Sequence, residues 1–249
     1  MSLERSRKEI LPRIFHKAKF GADKLVLVQT CKVHYVELGE GDPVIVVPGS
    51  YALYRNWNRL LPLLSSGHRL MELDYIGIGD PEKDDARVVY SVPEQSDLIA
   101  NLTLQLGLGK VNLIGSCFSS PLVFDFASRY PELIDKIVSI EGGIVESDKA
   151  RKTKLPWFKK LPSRKTYSQI EESARAIKCP ILYIYGSQFG CNDFPLDINL
   201  EYFKAYLPQA WIVSFEGSIN DLILQSPSEI TALILEFLRK NQGVESPAV

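Results

Sequence analysis

The sequence predicts an α/β fold, a mostly parallel, twisted sheet of about eight strands with helices on both faces. Three observations carry that expectation. Strand-like runs alternate with helical ones from about residue 25 onward, several of the strands are short continuous β-branched runs, and two alternating strands open the series. The chain of 249 residues is 45% hydrophobic and 24% charged, the composition of one large domain that buries its core without disulfide or metal staples.

Residues 1–24 form an N-terminal extension in which Glu4, Arg5, Arg7, Lys8 and Glu9 leave no apolar stretch for a secretory leader. Leu25–Gln29 and Lys32–Leu38 alternate on either side of Thr30-Cys31, which predicts an antiparallel pair. Val44–Val47 is continuous and β-branched, as in a strand covered on both faces. Trp57–Leu64 has helical spacing, and His68–Leu73 returns to strand. Leu98, Leu102 and Leu106 line one face of a helix expected over Pro93–Leu106, with Gly107 as its stop. Val111–Ile114 is a further buried strand, followed by a helix over Ser119–Arg129. Strands over Lys136–Ile140, Ile181–Tyr185 and Trp211–Phe215 and a helix over Pro227–Arg239 complete a single domain spanning 25–240. The tail, 241–249, is small and polar and is expected to fray.

The balance of 29 Lys and Arg against 30 Asp and Glu, a net charge of -1, carries no nucleic-acid footprint. No apolar run approaches the roughly 20 residues of a transmembrane segment. Cys31, Cys117, Cys179 and Cys191 form no C-x-x-C pair and sit at no ligand spacing from a histidine, so neither a metal nor another cofactor is expected. Reduced thiols in a cytoplasmic protein are the expectation. Nothing in the pattern sets the oligomeric state.

Chemistry concentrates where the strand Val111–Ile114 ends: Gly115-Ser116-Cys117-Phe118-Ser119-Ser120-Pro121 turns at once into a helix. Small residues two positions either side of Cys117 suit a sharp strand-to-helix elbow that holds a nucleophile at its tip. Here the pattern is Gly-x-Cys-x-Ser. Three other segments fall in a consistent order: Val46-Val47-Pro48-Gly49-Ser50, Asp74-Tyr75-Ile76-Gly77-Ile78-Gly79, and Arg129-Tyr130-Pro131-Glu132-Leu133. Together they resemble the α/β-hydrolase superfamily, in the branch of esterases, haloalkane dehalogenases and C–C bond hydrolases, over roughly residues 25 to 240.

The resemblance implies a nucleophile at Cys117 and backbone oxyanion donors at Phe118 and in the Ser50-Tyr51 turn. It also implies an acid three residues after Gly186 and a histidine ahead of the last helix. This chain departs from the pattern at both places. Phe189 stands at the acid position, with Asp193 as a substitute four residues on, and Gly217-Ser218-Ile219-Asn220 puts Asn220 at the histidine position. A carboxamide has no nitrogen that titrates near neutral pH, so Asn220 cannot take the nucleophile's proton. His16, His34 and His68, the three histidines of the chain, all lie where this fold keeps them from the elbow. The triad is therefore read as degenerate, and Asn220→His alone is expected not to restore an esterase.

Tyr51, Tyr54, Ser116, Phe118, Phe189 and Asn220 are expected around a cavity above the carboxyl ends of the strands, suited to a small apolar or acyl molecule or else plugged by the aromatic rings. The resemblance places a cap between the sixth and seventh strands. Here that segment, 142–178, is short and basic, with eight cations from Lys149 to Lys165 around Trp157 and Phe158, and it offers a surface to an anionic partner. Three readings stand open: a non-hydrolytic binder of an apolar or acyl ligand, a hydrolase of esters or thioesters acting through Cys117, and an interaction protein using the basic segment.

Overall fold

The computed structural model describes residues 20–49, 57–73, 91–145, 167–188, 195–217 and 222–239. Its centre is one eight-stranded sheet built from β1 (Ala22–Val28), β2 (Cys31–Leu38), β3 (Asp42–Val47), β4 (His68–Leu73), β5 (Val111–Ser116), β6 (Ile134–Ile140), β7 (Ile181–Gly186) and β8 (Ala210–Phe215), in the order β1-β2-β4-β3-β5-β6-β7-β8. β1 and β2 form the expected antiparallel hairpin, in which Val28 pairs with Cys31 and Gln29 takes the positive φ of 54° that the two-residue turn requires. β2 runs antiparallel to β4, and from β4 onward every neighbouring pair is parallel. The α/β expectation holds.

Helices cover both faces. One face carries α2 (Val92–Gln105), α3 (Ser120–Arg129), α4 (Tyr167–Ala176) and α5 (Leu196–Tyr206), whose Leu98, Leu102, Val123, Phe126, Ile170 and Phe203 join Ile45, Leu113 and Ile137 in one core. The other carries Trp57 and Leu60, then α1 (Leu61–Leu64), α6 (Leu222–Gln225) and α7 (Pro227–Arg239), which bury Leu64, Leu222, Ile230 and Ile234 against Val46, Ile114 and Leu182. Residues 113 and 114 face opposite cores, as the two-residue period of a strand dictates.

Local chemistry sets the boundaries. Pro62 has no N–H to donate into a continuous helix from Trp57, so the chain turns once, with Leu60 N–H on the Trp57 carbonyl at 2.8 Å, and α1 starts afresh at Leu61. α2 opens one residue earlier than its spacing suggests. Ser91 caps it, accepting from the Glu94 N–H at 3.2 Å while the Glu94 carboxylate accepts the Ser91 N–H at 2.6 Å. α4 and α5 carry no helix expectation from the sequence. In α4 the described buried residues are Ile170 and Ala174, a short apolar face, and α5 buries a polar residue, Asn199, among its contacts.

Parallel strands bring their carboxyl ends to one edge of the sheet. Val47, Ser116, Ile140, Gly186 and Phe215 all stop there, and that edge carries the candidate site.

Candidate functional site

β5 ends at Ser116 in extended geometry, and the next residue, Cys117, adopts φ 51°. A left-handed conformation costs a non-glycine residue about 1–2 kcal/mol, so the surroundings must over-determine it. Three features do so. The Ser119 hydroxyl reaches back across the turn, accepting the Ser116 N–H at 2.8 Å and donating to the Val47 carbonyl on β3 at 2.6 Å. The Ser120 N–H donates to the Cys117 carbonyl, closing a single 3-10 turn over Cys117–Ser119 that leads into α3. Finally, the neighbouring chain presses close: a Cβ on Gly49 would run into the Ser116 carbonyl oxygen, and a Cβ on Gly142 into the Ser120 hydroxyl and the Cys117 carbonyl.

This geometry separates the four nucleophile-bearing side chains of the turn. Ser116, Ser119 and Ser120 are 2%, 4% and 0% exposed. Ser119 is engaged as above, and Ser120 pairs with the Ser139 hydroxyl of β6 at 3.0 Å. The Ser116 hydroxyl is buried and finds no hydrogen-bond partner among the described residues. Cys117 alone of the four is partly exposed. Cys117 therefore stands at the tip of an elbow whose three hydroxyls are buried, that of Ser119 bonded to the backbone and that of Ser120 to Ser139.

No imidazole in the described structure reaches it. His68 opens β4 opposite Asp42, at the amino end of the sheet, and Val47, five residues along β3, pairs with Gly115. That places His68 about 16 Å from the elbow along the strands. It is buried, and loss of hydration holds its imidazole below the usual range. His34 lies on β2, three strand spacings or about 14 Å from β5, with Nε2 3.4 Å from the Asp23 carboxylate. His16 lies outside the described residues, as do Ser50, Tyr51, Tyr54, Phe189, Cys191, Asp193, Asn220 and the Lys149–Lys165 segment.

The structure adds a residue the sequence reading missed. Glu141 directly follows β6, whose Ile140 pairs with Ser116, so it stands beside the elbow. It is buried, takes φ 48°, donates its N–H to Ile184 at 2.8 Å and accepts the Leu222 N–H on Oε2 at 2.9 Å. Leu222 is two residues past Asn220. Phe189, the residue that the resemblance puts at the acid position, lies outside the described residues, whereas the Glu141 carboxylate follows β6, the strand beside β5. The segment after it is pinned: Tyr183 donates its hydroxyl to the Gly142 carbonyl at 2.8 Å, and Asn199 brackets Val145 with two bonds of 2.9 Å. One sequence signal could have found Glu141, an acidic residue between the run Ile137-Val138-Ser139-Ile140 at the end of a strand and Gly142-Gly143 at the ligand edge of the sheet.

Electrostatics distinguish the thiols as well. Burial pushes the Cys179 thiol up to about 12. No disulfide links Cys31, Cys117 and Cys179 to one another. Among the described residues no group of three His, Cys, Asp or Glu side chains is placed to hold a metal ion, and no helix is long and apolar enough to cross a membrane.

Residues 42–168 match the family described as alpha/beta hydrolase fold. Among curated proteins, the haloalkane dehalogenase of Sphingobium indicum is 30% identical over 126 residues, covering 49% of this chain and 43% of the relative. The 2-hydroxy-6-oxo-2,4-heptadienoate hydrolase of Pseudomonas putida is 28% identical over 118 residues, 46% of this chain and 42% of that one. The chain thus matches less than half the length of these relatives. Among solved structures, a carboxylesterase from Bacillus subtilis superposes with a TM-score of 0.74 at 16% identity, covering 96% of this chain and 98% of the other, a likeness of fold.

Proposed function

This chain belongs to the α/β-hydrolase fold family, and from that premise we propose that it holds a small apolar or acyl ligand against the Cys117 elbow without the proton relay of a conventional hydrolase. The observation that carries the reading is the pairing of a kept elbow with an unsuitable base. Cys117 retains the left-handed conformation that lifts a side chain off the end of β5, while the residue at the histidine position is Asn220. An oxyanion site made of backbone N–H groups survives changes of side chain, so the means to recognise a carbonyl oxygen is independent of the means to move a proton. Glu141 supports the reading by accepting the N–H of Leu222, two residues past Asn220 in the chain, so this edge of the sheet is joined to the start of α6. A general base contributes about 10²–10⁴-fold in rate, which sets the expected deficit against oxygen esters.

A second reading, a hydrolase of ester or thioester type with Cys117 as nucleophile, is favoured by one observation. A thiol is the nucleophile least dependent on a base, and of the four nucleophile-bearing side chains of this turn it is the one that solvent reaches. The two readings part in one experiment. Native mass spectrometry of freshly purified protein, with thermal shift against short acyl ligands, is expected to show a bound acyl-type molecule, weakened by Cys117→Trp, which fills the elbow. Sustained turnover of oxygen esters that disappears in Cys117→Ala overturns the first reading in favour of the second.

A further inference from the structure

We propose that Cys117 takes acyl groups from thioesters by thiol exchange and keeps them, refusing oxygen esters and releasing the bound acyl group only slowly to water. This rests on the reading of the elbow as an acyl-ligand site, and it names the ligand class.

The inference follows from which proton transfers each reaction demands. In thiol exchange the Cys117 sulfur, as thiolate, adds to the carbonyl carbon, the new C–S bond forms, the old C–S bond breaks, and the donor's sulfur leaves as a thiolate that picks up its proton from solvent. Atoms and charge balance with no protein group giving or taking a proton in the bond-making steps. The rate is set by the thiolate character and access of the attacking sulfur, the leaving ability of the departing thiolate and the donors that meet the oxyanion, none of which requires a general base. An oxygen ester differs, because its alkoxide leaves well only when an acid protonates it. Hydrolysis of an S-acyl cysteine differs again, because water attacks well only when a base removes its proton. Both tasks fall to an imidazole in this scaffold. Here residue 220 is a carboxamide, and His34 and His68 lie about 14 and 16 Å away by strand geometry. The nearby carboxylate is committed: Glu141 Oε2 accepts the Leu222 N–H at 2.9 Å.

The turn itself selects the sulfur. Ser119 and Ser120 are buried and bonded to Val47, Ser116 and Ser139, so their hydroxyls are spent on holding the elbow. Ser116, directly before Cys117, is 2% exposed with a hydroxyl that no described residue satisfies. A buried polar atom in that condition is one that a water or a polar atom of a bound ligand can satisfy. Acyl transfer to sulfur is thus retained where acyl transfer to water is not.

The test uses the full-length protein with S-butyryl-N-acetylcysteamine, the matching oxygen ester, and a non-transferable thioether analogue, read by intact mass and thiol release. Expected are one butyryl group per chain, placed on Cys117 and removed by hydroxylamine, thiol release that stops at one equivalent, and no adduct from the oxygen ester. Cys31, half-buried on β2, is the internal reference, and Cys117 is expected to react at least about tenfold faster. The Cys117→Ala protein should carry no fast adduct. Equal rates at Cys31 and Cys117, continued thiol release, or acylation by the oxygen ester each overturn the proposal. Thermal stabilisation by the thioether without acylation by the thioester sinks thiol exchange but leaves the ligand site standing, whereas neither stabilisation nor acylation sinks both.

Discussion

Replacing Cys117 by glycine should make the protein more stable than replacing it by alanine, the reverse of what glycine does almost everywhere else. Both variants lose the thiol, so their difference isolates the Cβ. At φ 51° that Cβ is opposed by the following carbonyl, a cost of about 1–2 kcal/mol that Cys117→Ala keeps and Cys117→Gly releases. Glycine in turn loses more conformational entropy on folding, about 0.5–1 kcal/mol. The balance favours Cys117→Gly by roughly 0.5–1 kcal/mol, or about 2–3 °C in a domain of this size. Ala232→Gly, at an exposed position within α7, is the control and should lose about 1 kcal/mol. Equilibrium urea unfolding of the four proteins, wild type included, reads all the differences. If Cys117→Gly falls below Cys117→Ala by as much as Ala232→Gly falls below its parent, the elbow is unstrained and the reasoning about the site fails with it.

Ser119→Ala should destabilise by about 1–3 kcal/mol, since it strands the buried Ser116 N–H, and should slow acylation of Cys117 by loosening the turn; unchanged unfolding midpoint and labelling rate would contradict the clamp. His68 is held neutral by burial, with its folded value below the ordinary 6.5, so the unfolded chain takes up the proton first as pH falls. Stability from this group is complete above about pH 7 and lost below it, and His68→Gln should flatten that part of the pH–stability curve; an unchanged slope refutes it. Cys179, raised to about 12, should resist alkylation in the native protein under conditions that label Cys117, a contrast read by peptide mapping. Asn220→His alone should yield no esterase, since Phe189 stands at the acid position and Glu141 is engaged with the Leu222 N–H; a gain within the roughly 10²–10⁴-fold of a general base, lost again in Asn220→His with Glu141→Gln, would overturn this and put Glu141 in the acid's place.

The fold was legible because its signals are local and repeated. Val44–Val47 is β-branched throughout and Ile181–Tyr185 is apolar or aromatic throughout, the pattern of strands covered on both faces, and Gly107 marks the end of α2 in a positive φ of 61°. Cys117 was legible for a related reason: a strand that must turn within one residue needs small neighbours, and Gly115 and Ser119 supply them. Glu141 was not. Its role depends on β6 lying beside β5 and on α6 returning to the same edge, a pairing of positions 81 residues apart that no periodicity records. Asn199 escaped notice similarly, since a buried asparagine in α5 makes sense only once Val145 is seen to need both its polar groups bonded.

Catalysis by this scaffold combines two separable devices, one that makes a bond at the tip of β5 and one that shuttles protons past it. On the proposed reading they sit on different elements. The first belongs to the β5–α3 turn and is held by Ser119, Gly49 and Gly142. The second is read at residue 220, outside the described residues and two positions before Leu222, whose N–H donates to Glu141. On that reading a change at residue 220 removes proton transfer while the supports of the Cys117 conformation stay in place. What such a site can still do is decided by the leaving group. Where the departing atom is stable as an anion, the missing imidazole costs little; where it is not, the barrier stands. The division between sulfur and oxygen esters is thus a consequence of two devices failing independently, and it distinguishes a site that has lost one of them from a site that has lost both, in which Cys117 would react no faster than Cys31.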